Sequence, residues 1–83
     1  MSYIIDIKEM LKTKSRVFIF LKPNNTGHTT KISEAGKWSE PEISKILENK
    51  NYAYCNENNL KLLEKKEDQV IFNKLSRKYF QVV

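Results

Sequence analysis

The chain has little of what a stapled, loop-built or membrane-spanning protein needs. One cysteine among 83 residues, Cys55, excludes an internal disulfide framework and a cysteine-rich zinc site. Two glycines and two prolines leave no material for a long linker or a loop-dominated scaffold. The longest apolar run, Val17 to Leu21, is far short of the about twenty residues that cross a bilayer. The opening MSYIIDIKEM has no basic stretch followed by a long apolar one, so no secretory leader is expected. There is no Walker A, GxGxxG or HExxH motif and no paired-carboxylate motif. The single histidine, His28, falls in a glycine-containing turn with no acid–base partner legible beside it. The expectation is a soluble, cytoplasmic protein, not an enzyme, with no cofactor, no metal and no membrane association.

What is present is a charge excess and several clear local patterns. The formal charge is +5, which permits a polyanionic partner. Most of it lies early. Residues 1–38 carry seven basic and three acidic side chains, residues 39–83 eight and seven. In the second half the uncompensated bases are Lys74, Arg77 and Lys78. A hydrophobic share of 40% suffices for one small core, so one domain over residues 1–83 is expected.

Ile4, Ile7 and Leu11, with Met10, recur at helical spacing and predict a helix from Ser2 to about Lys14, capped by Ser2. Arg16–Lys22 reads as a buried strand, with His28–Glu34 as its hairpin partner, or as a buried helix; the strand is preferred. Ser39 and Glu42 form an S-x-x-E capping box. Trp38 and Ile43 suit a hydrophobic staple, so a helix follows to about Lys50. After a polar break at residues 49–51, Leu60, Leu62 and Leu63 anchor a further helix over 55–66. VIF at 70–72 and YFQVV at 79–83 then read as a β-hairpin.

Taken in order, PEISKIL, NNLKLLEKK, QVIFNKL and RKYFQVV resemble the winged helix-turn-helix domains of small bacterial and archaeal transcription regulators. Glu42, Ile43, Ser44 and Leu47 match the first helix of the pair, Leu60, Leu63, Glu64 and Lys65 the end of the second, and residues 70–83 the wing. The resemblance implies an α+β fold with a C-terminal β-hairpin that binds double-stranded DNA, as a homodimer, to regulate transcription. It assigns Asn56, Asn58, Asn59 and Lys61 to base edges or phosphates in the major groove. Tyr52 and Tyr54 would hydrogen-bond phosphates, and Lys74, Arg77 and Lys78 would contact the neighbouring backbone. Two other readings stand beside it. A small mixed sheet packed with two or three helices would suit an inhibitor or adaptor that meets a host protein through an exposed edge or aromatic patch. A basic RNA-binding toxin would use Tyr52, Tyr54 and Arg77.

Overall fold

A computed structural model describes residues 1–49, 51–74 and 76–78, the last through its backbone alone. It opens with strand β1, Ser2–Asp6, rather than with the expected helix. All five residues of β1 are buried, because a strand lies on each side of it and the sheet is covered on both faces. The β-branched and aromatic run Tyr3–Ile4–Ile5 outweighs the helical spacing. The helix starts later, as α1 over Ile7–Thr13, and its cap is Asp6 rather than Ser2. Asp6 Oδ1 accepts the Glu9 N–H at 2.9 Å, and Lys14 ends the helix in the left-handed region at φ 52°. Met10 is its buried residue, whereas Leu11 is exposed.

Of the strand expected over 16–22 only Phe20–Leu21 forms one, β2, and of its expected partner over 28–34 only His28–Thr29, β3, with Ile32–Glu34 a 3-10 turn instead. Helix α2, Glu40–Ile46, begins where the capping box places it. Glu42 Oε1 accepts from both the Ser39 N–H, at 3.0 Å, and Ser39 Oγ, at 2.7 Å. Trp38 and Ile43 are buried in one cluster, as the staple requires.

Residues 55–66 do not form one helix. Tyr52–Asn56 is strand β4, followed by a single turn, α3, at Glu57–Leu60. The local alternation decides this: Ala53 and Cys55 are fully buried, while Tyr52, Tyr54 and Asn56 turn to the other face. Leu60 and Leu63 are core, but Leu62 is 65% exposed. The chain then makes a short hairpin, β5 at Lys65–Lys66 and β6 at Gln69–Val70, around Glu67 and Asp68, both at positive φ. This is the backbone of a two-residue turn of the kind that matches strand twist. The hairpin thus comes earlier than the expected wing, and the proposed second wing strand, 79–83, lies outside the described residues.

The main sheet has the order β3-β2-β1-β4, and every pairing in it is antiparallel, so it is not the mixed sheet of the alternative expectation. One face carries Tyr3, Ile5, Phe20 and Cys55 beneath Met10, Phe18, Leu60, Leu63 and Val70. The other carries Ile4 and Leu21 beneath Trp38, Ile43 and Leu47, with Tyr52 and Tyr54 packed at the side. The fold is a small α+β structure in which, among the described residues, α2 is the helix on this second face.

Candidate functional site

The backbone of β1 shows what β4 leaves open. Ser2 exchanges two hydrogen bonds with Trp38, N–H to O at 3.0 Å and the reverse at 2.8 Å, and the Asp6 N–H donates to Ile19 O at 2.8 Å. Ser2, Ile4 and Asp6 therefore direct their backbone groups away from β4, and Tyr3 and Ile5 pair with Cys55 and Ala53. By the same alternation Tyr52, Tyr54 and Asn56 direct theirs out of the sheet. The Tyr52 N–H is held by Asn49 O at 3.3 Å. Among the described residues this leaves the N–H and C=O of Tyr54, the Asn56 N–H and the Tyr52 C=O facing outward without a strand partner.

A cavity of 870 Å³ opens beside that edge. Its apolar lining is Met1, Trp38, Ile43, Leu47 and Tyr54, and its polar lining includes Ser39, Ser44 and Asn56. Helix α2 builds one wall because Ile43, Ser44 and Leu47 fall on adjoining rows of the helix surface. β4 builds the floor because Tyr54 and Asn56 are two residues apart and share a face. Trp38 is 7% exposed, and its indole Nε1 is buried with no acceptor. Such a buried donor costs about 1–3 kcal/mol. Nearby, Glu57 takes the Lys37 Nζ at 3.3 Å. That hydrogen bond, then the α-amino group, holds its carboxyl below the usual range.

The residues expected to bind DNA are not brought into one surface. Tyr52, Tyr54 and Asn56 share the α2 side of the sheet, with Tyr52 and Tyr54 half-buried. Burial, then the Asp6 carboxylate, pushes the Tyr52 hydroxyl up. Asn56 caps α3 by accepting the Asn58 N–H at 2.8 Å, so its side-chain oxygen is engaged in a turn. Asn58 and Lys61 are exposed and Asn59 is half-buried, all on or just past this single turn. Arg77 lies elsewhere, beside Phe72, which packs against the core on the opposite face of the sheet, and Lys74 is exposed a few residues before it. The Arg77 guanidinium stands 5.5 Å from the Phe72 ring centre, and Arg16 joins the group through its C=O, which accepts the Phe72 N–H at 2.8 Å. Arg16, Lys74 and Arg77 are exposed and form no ion pair among the described residues. The side chain of Lys78 lies outside the described residues. The trio expected of an RNA-binding toxin, Tyr52, Tyr54 and Arg77, is likewise divided by the sheet.

Sequence reasoning missed three features. Ser44 and Leu47 were legible only as helix residues, and Arg16 only as a helix-end charge. His28 does have a partner: its Nε2 lies 2.7 Å from Asp6 Oδ2, tying β3 to the β1–α1 junction. No signal marked it, since the two residues are 22 positions apart. Among the described residues no group of three or more His, Cys, Asp or Glu could hold a metal ion, and no helix is long and apolar enough to cross a membrane. Comparison with protein families, with characterised proteins and with solved structures finds no match to this chain.

Proposed function

We propose that this chain is a protein-binding module, of the inhibitor or adaptor kind, that docks its partner in the cleft between α2 and β4. The observation that carries the reading is the edge of β4, open among the described residues, beside a cleft lined by Trp38, Ile43, Leu47 and Tyr54. An unpaired strand supplies main-chain donors and acceptors, and an apolar cleft next to it receives alternate side chains of whatever lies along the edge. Aromatic side chains contribute most where such a surface becomes desolvated. The test is co-purification from host cells with wild type and with Ser44→Arg, which fills the cleft from an exposed position on α2. A stoichiometric protein held by the wild type and released by Ser44→Arg supports the reading. Identical protein profiles for the two would remove it.

A second reading keeps double-stranded DNA as the partner, and the exposed Arg77 guanidinium over Phe72 favours it. An exposed arginine with no ion pair among the described residues suits phosphates, which position a protein on a duplex without selecting sequence. In the winged-helix form of this reading α2 would be the supporting helix and the C-terminal segment the wing. Fluorescence anisotropy with mixed duplex DNA, across about 50 to 200 mM salt, decides it. Affinity that falls steeply with salt, and further in Arg77→Ala, supports DNA binding; no binding at the lowest salt ends it.

A further inference from the structure

We propose that a second copy of this chain pairs with β4, strand antiparallel to strand, about a two-fold axis at Tyr54. The inference rests on the docking reading: the second copy takes the β4 edge, and the apolar cleft beside it is left for the captured protein.

Edges of sheets are ordinarily protected by charge, proline, shortness or bulges. β3, at the other end of the main sheet, is two residues long, and the hairpin strand β5 consists of Lys65 and Lys66. β4 has neither protection. It is five residues long, and its sequence, Tyr-Ala-Tyr-Cys-Asn, contains no charge and no proline. The longest edge is therefore the unguarded one.

The free groups on that edge are complementary to themselves. With the axis at Tyr54, each Tyr54 N–H meets the partner's Tyr54 C=O, and each Asn56 N–H meets the partner's Tyr52 C=O. Those are the four outward groups left over above, and each finds its counterpart. The Tyr52 N–H needs none, because Asn49 O already holds it. An axis normal to the sheet keeps α2 of both copies on the same face. Tyr54 and Asn56 of β4 line the cleft of each copy, so pairing the two β4 strands sets the two clefts side by side in one trough. Its floor is the pair of β4 strands, with Tyr54 beside Tyr54, and its walls are the two α2 helices.

The test is sedimentation equilibrium of the full chain against two substitutions at one position. Asn56→Pro removes an outward N–H at a residue whose φ of −60° proline adopts readily, and the preceding residue is already extended. Asn56→Ala loses the same side-chain cap but keeps the N–H, so the difference between them reads the edge alone. The expected result is a dimer in wild type and Asn56→Ala whose dissociation constant rises at least about tenfold in Asn56→Pro. If Asn56→Pro does not fold, Tyr54→Lys sets like charges directly opposite each other and is expected to give monomers. A wild type that stays monomeric up to about 1 mM, or a dimer indifferent to both Asn56→Pro and Tyr54→Lys, overturns the proposal. Its failure differs from that of the docking reading. A monomer that still releases its captured protein on Ser44→Arg overturns only the dimer, and a dimer sensitive to Asn56→Pro that captures nothing supports the dimer while removing the docking reading.

Discussion

Replacing Asp6 by alanine is expected to loosen two elements of this chain at once. The carboxylate is buried at the β1–α1 junction and serves two elements at once. Oδ1 accepts the Glu9 N–H at 2.9 Å and so caps α1; loss of such a cap costs about 1 kcal/mol. Oδ2 meets His28 Nε2 at 2.7 Å and fastens β3. A hydrogen bond to a charged group contributes about 1.5–3 kcal/mol, and the lower end applies because the His28 side chain is 45% exposed. The sum is roughly 2.5 kcal/mol, which lowers the melting temperature of a domain this size by roughly 10–20 °C. Asn at position 6 keeps an acceptor for Glu9, so Asp6→Asn should lose about half as much. Urea unfolding of Asp6→Ala, His28→Ala and the double variant measures both terms, with a coupling of about 1 kcal/mol expected between them. A loss below about 0.5 kcal/mol for Asp6→Ala, or full additivity in the double variant, would refute the argument.

Other outcomes follow from the same contacts. Burial pushes the Cys55 thiol from its ordinary 9.0 up to about 11. The folded state holds that proton more tightly than the unfolded chain, so stability is full below about pH 9 and falls as pH rises towards 11. Cys55→Ala should flatten that alkaline decline in pH-resolved denaturation, and iodoacetamide at pH 8 should modify the native thiol far more slowly than the unfolded one. Gly36→Ala would set a Cβ 2.9 Å from the Pro23 backbone nitrogen and is expected to destabilise by about 1–3 kcal/mol in thermal unfolding. Leu62→Lys should change stability by less than about 0.5 kcal/mol while Leu63→Ala costs about 2–5, and the reverse order would restore a helix in place of the turn after α3.

Much of the local structure was legible and much of the site was not, for physical reasons that particular residues show. Ser39 and Glu42 announced α2 because capping is short-range chemistry written within four residues. The pairing of Phe20–Leu21 with His28–Thr29 was legible because a proline and a glycine bracket the turn between them. Residues 2–6 misled because Ile4, Ile7 and Leu11 satisfy a helical spacing that straddles a strand, a cap and a helix. Residues 52–56 carried a period-two pattern, but Ala53 and Cys55 are small, and a strand marked by small buried residues gives a weak hydrophobic signal. The two-residue turn at Glu67–Asp68 uses positive φ without glycine, so composition did not mark it. The cleft was out of reach, since it exists only once Trp38, α2 and Tyr54 meet across the sheet.

The most direct measurement is amide hydrogen exchange along β4 by NMR in dilute solution. An open edge predicts fast exchange at Tyr54 and Asn56, whose N–H groups face outward, and slow exchange at Ala53 and Cys55, which bond to β1. Slow exchange at Tyr54 in a dilute monomer would mean that the edge is already covered, and the docking account would fall with it.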